Sequence, residues 1–418
     1  MSLKRLKWLY PGMFIKRWIT LAVFGILMIS MGFVIVIFER SSENKSIAGI
    51  IIILGILCVI VGVKRILKSF MLVLSPDPER SENSLVEKMF EKRILEKGPK
   101  IVVIGGGTGL STLLTGLKQR TSNITAIVTV ADDGGSSGRL REEFGVLPPG
   151  DIRNCLVALS DSEDLLGPLF QFRFTEGTGL HGHNFGNLFI TALSRVTGDF
   201  NLAIKESSKV LAIRGNVFPA TLEKVQLVAR RKDGKETVGE CKIRDEKGSP
   251  IDKLFLVPDY CKATQESVEA IRQADAIVLG PGSLYTSVMP NLLIKGIQKE
   301  IIKSKALKIY ICNVMTEAGE TDDYSVSDHV RAIVGHTMPG VVNCCIANVT
   351  PVPRFLYEKY EKEEKFPVKL DENDKRWLEQ EKIKLVEANI AGTKEFVRHD
   401  PVKLSDIIME IISEGKKR

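Results

Sequence analysis

The chain has 418 residues, 44% of them hydrophobic, with 58 lysines and arginines against 51 aspartates and glutamates. That length holds one large α/β domain with appendages, and the apolar share fills its core. Ten of the basic residues and two of the acidic ones precede residue 72, so the formal charge of +7 belongs to the N-terminal segment, and a nucleic-acid partner loses its main support.

Residues 18–38 form an apolar run without a charge, about 21 residues and so about 32 Å of helix, enough to cross a hydrocarbon core. A second run, 47–63, has about 17 residues and stands at the lower limit. A signal peptide fits less well, because the first run is too long, lacks a small-x-small cleavage site and is followed by the second. Lys4, Arg5, Lys7, Lys16 and Arg17 precede the pair and Lys64, Arg65 and Lys68 follow it, while the turn balances Arg40 and Lys45 against Glu39 and Glu43. The positive-inside rule then puts both ends in the cytoplasm. The expectation is a membrane hairpin over residues 1–71, with Trp8, Tyr10 and Trp18 at the interface and lipid as a partner. Residues 72–98, opened by Pro76 and Pro78, read as a linker.

A domain over residues 99–418 begins with KIVVIGGGTGLS, an apolar strand that breaks into glycines and resumes as a helix. Gly105, Gly106, Gly107, Thr108 and Gly109 offer backbone N–H groups and a helix N-terminus to an anion, phosphate above all. The dinucleotide fingerprint would need glycine where Leu110 stands, and no Gly-Lys-Ser/Thr follows to make a P-loop. Residues 124–130 read as a second, parallel strand, with 276–279, 308–312 and 341–347 as later strands of the same sheet. Their following loops should meet in one crevice at the strand C-terminal ends. Residues 222–258 alternate apolar and polar around turn signals and predict a small antiparallel insertion. Residues 357–377, dense in Lys and Glu, read as a solvated helix or linker, and Leu404, Ile407, Ile408, Ile411 and Ile412 recur as the core face of a last helix.

Several loops carry candidate ligand groups. Asp132 and Asp133 follow the second strand, where a Rossmann-like sheet places a ribose-binding acid; paired carboxylates also suit Mg²⁺, and a turn or cap is the plainer role. Ser136 and Arg139 add a hydroxyl and a guanidinium to a second glycine-rich nest. Asp151 caps a helix start that brings Arg153 and Asn154 within reach of an anion. His183, Asn184 and Asn187 combine hydrogen-bonding side chains with glycine; no third His or Cys lies near them, so ligand contact or capping is favoured over zinc. Gly282 and Ser283 repeat the strand, glycine loop, helix theme, and Asn313 opens the loop after the next strand. The seven cysteines include no Cys-x-x-Cys and none has a neighbouring histidine, which argues against disulfides, thiolate zinc and a cysteine nucleophile.

Taken together, GGGTGLS, TVADDGGSSGRLR, PPGDIRN, HGHNFGNL, RGNVFPAT and GPGSLYTSVMPNLL resemble the gluconeogenesis factor (YvcK-like) family, which is related to the 2-phospholactate transferases of deazaflavin cofactor synthesis. The resemblance covers residues 100–413. It implies a Rossmann-like, mostly parallel α/β domain, and a regulator that binds a UDP-sugar such as UDP-N-acetylglucosamine and acts in cell shape during gluconeogenic growth. On that reading the chain needs no cofactor and no metal, has no catalytic residue, works as a homo-oligomer, and meets cell-envelope proteins at the cell membrane. The alternative it implies is a transferase using Mg²⁺ and a deazaflavin held by the aspartates after the second strand. A nicotinamide dehydrogenase is weakened by Leu110. The soluble family members lack a hairpin, so residues 18–63 depart from their pattern.

Overall fold

In the computed structural model, which describes residues 15–38, 41–74, 93–161, 165–246, 248–393 and 395–417, the chain divides into the units Met1–Phe90 and Glu91–Arg418. The first holds helices α1 (Ile15–Phe38) and α2 (Ser42–Leu74), which run past both predicted apolar stretches. Their segments Arg17–Phe38 and Glu43–Leu67 are long and apolar enough to cross a membrane. Glycines let the two backbones meet: a Cβ on Gly25 would lie 2.6 Å from the Gly55 carbonyl oxygen, and one on Gly62 2.9 Å from that of Trp18. Outside this seam Phe24, Leu27, Ile53 and Leu57 face outward, a surface matched to hydrocarbon. Lys4, Arg5, Lys7, Trp8, Tyr10, Glu39, Arg40, Pro76 and Pro78 lie outside the described residues.

The second unit is built on the strands β1 (Ile101–Gly105), β2 (Ile124–Val128), β3 (Asn216–Pro219), β7 (Ala276–Leu279), β8 (Leu307–Ile311), β9 (Cys344–Asn348) and β10 (Lys384–Ala388). They form one seven-stranded sheet in the order β10-β9-β8-β7-β1-β2-β3, every pair parallel. β1 and β7 are buried at every position, as strands covered by helices on both faces must be. After β1 the chain adds β2 and β3 on one side, then returns to pair β7 with the other edge of β1, Ile101 opposite Ala276. That reversal opens a crevice between β1 and β7. On the last helix, Pro401–Lys417, Leu404, Ile408, Ile411 and Ile412 are buried and Ile407 packs at the core's margin.

Residues 357–377 run through the ends of two helices, Arg354–Glu361 and Glu372–Gln380, with most side chains exposed, as a solvated helix requires. Two features depart from the sequence expectation. The second of these helices also docks through Asp374, which accepts from Ser325 Oγ at 2.5 Å and from the Ser327 N–H at 3.0 Å. Asn216–Pro219 and Lys384–Ala388, unassigned in the sequence, are the outermost strands, whose short or charged composition hides them.

The insertion is a three-stranded antiparallel sheet, order β5-β4-β6, of β4 (Gln226–Arg231), β5 (Glu236–Val238) and β6 (Ile251–Val257), with the helix Glu240–Asp245 between β5 and β6. Arg231, 1% exposed, ties it to the main body. Its guanidinium donates to the carbonyls of Ser249 (2.8 Å), Glu246 (2.7 Å), Ile243 (3.3 Å) and Gly319 (3.2 Å), the last on the loop after β8.

Candidate functional site

At the reversal two glycine loops lie edge to edge. β1 ends at Gly105, Gly106 is extended, and Gly107 opens the helix Gly107–Leu117 at φ 66°, a left-handed value that favours glycine. Opposite, Gly280 and Gly282 flank Pro281 after β7. A Cβ on Gly109 would stand 2.6 Å from the Pro281 carbonyl oxygen, so the two loops touch through their backbones. Gly106, at the N-cap of the helix Gly107–Leu117, brings no side chain to cap it, and the helix's positive end opens on the cleft between the loops.

The cleft has a volume of about 460 Å³. Residues 106–109, Gly282, Ser283, Thr286 and Ser287 form one wall; Asp132, Asp151 and Glu240 form an acidic side; Asn313, Glu317, Arg244, Arg398 and His399 complete it. Asp132 accepts from the Gly134 N–H at 2.9 Å and from Ser137, yet burial raises its pKa. Burial first, and then the charge of Asp132, push Asp151 up to about 7 against the pull of the Gly107 N–H and Arg153. Glu240 is raised well above the usual carboxylate range by burial and by its acidic neighbours, and its buried Oε2 has no hydrogen-bond partner among the described residues. Asn313 Oδ1 is likewise buried and unpartnered among them. His399 donates through Nε2 to the Cys312 carbonyl at 3.2 Å, and burial lowers its pKa to about 4, so it is neutral.

This arrangement divides its chemistry. Helix N–H groups, hydroxyls and two arginines suit phosphate oxygens, whereas the crowded carboxyls and the Asn313 amide suit hydroxyls. Among the described residues no three His, Cys, Asp or Glu side chains form a metal-binding group. Asp132 and Asp151, the charge of the first raising the pKa of the second, are the oxygen ligands that a Mg²⁺ ion would use there, with water and phosphate to complete its shell.

Of the residues expected to bind ligand, Gly106, Gly107, Thr108, Gly109, Asp132, Asp151, Gly282, Ser283 and Asn313 line the cleft. The others lie off its lining. The Gly105 carbonyl accepts from the Thr129 N–H and from Asn291. Asp133 turns to the insertion and accepts the Cys241 N–H at 2.9 Å, holding the start of the helix Glu240–Asp245. Arg139 donates to the His181 carbonyl, Arg153 to Asn187 Oδ1 (3.1 Å) and Asn154 Oδ1 (2.7 Å), and Asn184 caps the helix Phe185–Thr197. Ser136 meets His183 Nδ1 at 3.2 Å and accepts the Asn184 N–H. Residues 134–138 also spell Gly-x-Ser-x-Gly between a strand and a helix, but Ser136 is buried in this seam and away from the cleft, so the pair ties two helices together.

Sequence reading missed Glu240, Arg244, Arg398 and His399. Glu240 and Arg244 stand four apart on one helix, hence on one face, and Arg398-His399-Asp400 precedes the last helix; only the fold brings either pair to the glycine loops.

Comparison with known proteins agrees with this architecture. Residues 101–391 match the family described as 2-phospho-L-lactate transferase CofD. A crystal structure of a UPF0052 family member from Bacillus halodurans superposes with a TM-score of 0.72 at 48% identity, covering 75% of this chain and 99% of that one. The gluconeogenesis factor of Bacillus subtilis is 46% identical over 316 residues, 76% of this chain and 99% of its own length. A relative in Clostridium acetobutylicum is 44% identical over 424 residues, 99% of this chain and 93% of its own, so its alignment extends through the N-terminal segment that the shorter relatives leave unmatched. With its parallel sheet, its glycine-loop cleft and this extent of identity, the chain belongs to the gluconeogenesis factor family and carries a CofD-type domain.

Proposed function

We propose that the protein is a membrane-anchored receptor for a nucleoside diphosphate sugar of the UDP-N-acetylglucosamine type, acting as a regulator of cell shape during gluconeogenic growth. The observation that carries this reading is the split chemistry of the cleft: phosphate-directed groups on residues 106–109 and 282–287 with Arg244 and Arg398, and unpartnered acceptors on Glu240 and Asn313 for hydroxyl or amide donors. The diphosphate lies along the helix N-terminus, and the sugar faces the carboxyls. α1 and α2 hold the domain at the cell membrane, with both ends of the hairpin cytoplasmic by the flanking Lys and Arg residues. Ligand binding without turnover, in a homo-oligomer that meets cell-envelope proteins, completes the reading.

A second reading is favoured by the CofD match and by the paired carboxyls: a transferase in which Asp132 and Asp151 hold Mg²⁺ beside a diphosphate leaving group. Titration calorimetry on the full chain in detergent separates the two. Saturable binding of UDP-N-acetylglucosamine without Mg²⁺ is the expected result. Silence with that ligand, together with Mg²⁺-dependent binding of a deazaflavin, would replace the first reading by the second.

A further inference from the structure

A groove of about 1070 Å³, separate from the cleft, runs between β6 and the helix Val326–His336. Every residue from 250 to 256 lines it, the buried Leu254 and Leu256 as well as the exposed Asp252 and Lys253. A strand's face contributes alternate residues, so an unbroken run marks its backbone edge. β6 is the last strand of its sheet: β4 pairs with one edge from Ile251 to Val257, and among the described residues no backbone group hydrogen-bonds the other. Folded proteins usually shorten, bulge or cover such an edge; β6 bulges at Asp252, where its register with β4 shifts, yet Lys253 to Val257 run on in unbroken register.

The opposite wall is built to receive something. Asp328, Arg331, Ala332, Gly335 and His336 recur at helical spacing and form one face of the helix. Its small residues keep the wall recessed, and a Cβ on Gly335 would meet nothing within 4 Å. The floor holds Tyr285 and Tyr324, whose hydroxyls are 2.8 Å apart. His336 Nδ1 lies 2.8 Å from the Ala332 carbonyl, so it carries the ring proton and donates; Nε2 is therefore an acceptor, buried and without a partner among the described residues.

We propose that this groove binds an extended peptide segment of a partner protein, which adds to β6 as a fourth strand of the insertion sheet and gives His336 Nε2 a side-chain N–H or O–H. A free backbone edge recognises another backbone, and the five residues from Lys253 to Val257 offer about 17 Å of regular pairing. The aromatic floor takes an apolar side chain, and His336 selects the donor. A second copy of the chain fits poorly, because its own helix Val326–His336 stands beside its β6 and blocks edge-to-edge approach. The proposal does not depend on what fills the cleft. The two sites nevertheless share a wall, since Tyr285 belongs to the π-helical turn Leu284–Val288 whose Thr286 and Ser287 line the cleft.

The test is an array of random peptides of about ten residues, probed with the full chain in detergent, followed by an N-methyl scan of the tightest binder. Strand addition predicts that methylation abolishes binding at alternate peptide positions and is tolerated between them. Gly335→Trp, whose ring enters open space, should weaken binding by at least about tenfold with an unchanged melting temperature; if it fails to fold, Ala332→Leu on the same wall serves instead. His336→Phe should erase the preference for a donor-bearing peptide over its apolar analogue. The proposal is overturned if no peptide binds saturably, if the scan shows no alternation, or if the filled-groove variants bind as well as wild type. It is equally overturned if the chain self-associates with concentration-dependent protection of the β6 amides, which would make a second copy the occupant.

Discussion

Arg231→Met tests whether the insertion is a fixed wall of the cleft. The substitution keeps the apolar stem and removes a guanidinium that donates to four carbonyls at 2.7–3.3 Å in a site 1% exposed. Each acceptor left dry costs about 1–3 kcal/mol, and no longer burying a cation returns several kcal/mol. The net cost is about 3–5 kcal/mol, the desolvation of four neutral acceptors less what is returned by not burying the cation. A domain stable by about 5–15 kcal/mol stays folded, so the loss should fall where the four carbonyls sit. Hydrogen exchange reads this directly: amides of residues 240–246, 248–249 and 317–321 should lose at least about 100-fold in protection, while β1, β7 and β8 keep theirs. Binding in the cleft should weaken in parallel, because Glu240 and Arg244 ride on the loosened helix. Exchange at 240–246 and 248–249 within about twofold of wild type would refute the reasoning and leave Arg231 as a passive core residue.

Gly109→Ala would ordinarily gain about 1 kcal/mol of helix propensity, but the new Cβ stands 2.6 Å from the Pro281 carbonyl oxygen, and overpacking of about 1–3 kcal/mol opposes it. The expected outcome is a small change in melting temperature with a marked loss of nucleotide-sugar affinity by calorimetry; unchanged affinity would mean that the two loops do not jointly form the site. Asp151 and Glu320, both pushed up to about 7 chiefly by burial, keep their protons in the folded state at pH values where the unfolded chain releases them. Their contribution to stability is complete below about pH 4 and is lost as the pH rises to about 7, so Asp151→Asn should flatten the fall in stability between about pH 4 and 7 seen in denaturant melts. Removing residues 1–74 should move the protein from the membrane fraction to the soluble one, and continued sedimentation with membranes would count against the anchor.

Local pattern was enough for much of this protein. Residues 101–105 and 276–279 are apolar at every position, which only strands buried on both faces require, and the glycines that follow them announce close backbone approach. The two long apolar runs declare themselves by length, and the spacing of Leu404, Ile408, Ile411 and Ile412 by period. Which side chains reach the cleft was not local information. Asp132 and Asp133 are neighbours of the same type, yet one lines the cleft and the other anchors the insertion helix, because the helix Glu240–Asp245 comes back over that loop from more than a hundred residues downstream. Ser136, Arg153, His183 and Asn187 carry the chemistry of a binding site and are spent on joining helices. Glu240, Arg244, Arg398 and His399 carry no motif and arrive at the cleft through packing alone. The sequence by itself determined the five inner strands of the sheet, the glycine loops and the hairpin, since these follow from hydrophobic period and backbone freedom. Only the tertiary structure decided the membership of the site, because a strand order that reverses between β1 and β7 brings distant segments to one crevice, and no local pattern encodes that meeting.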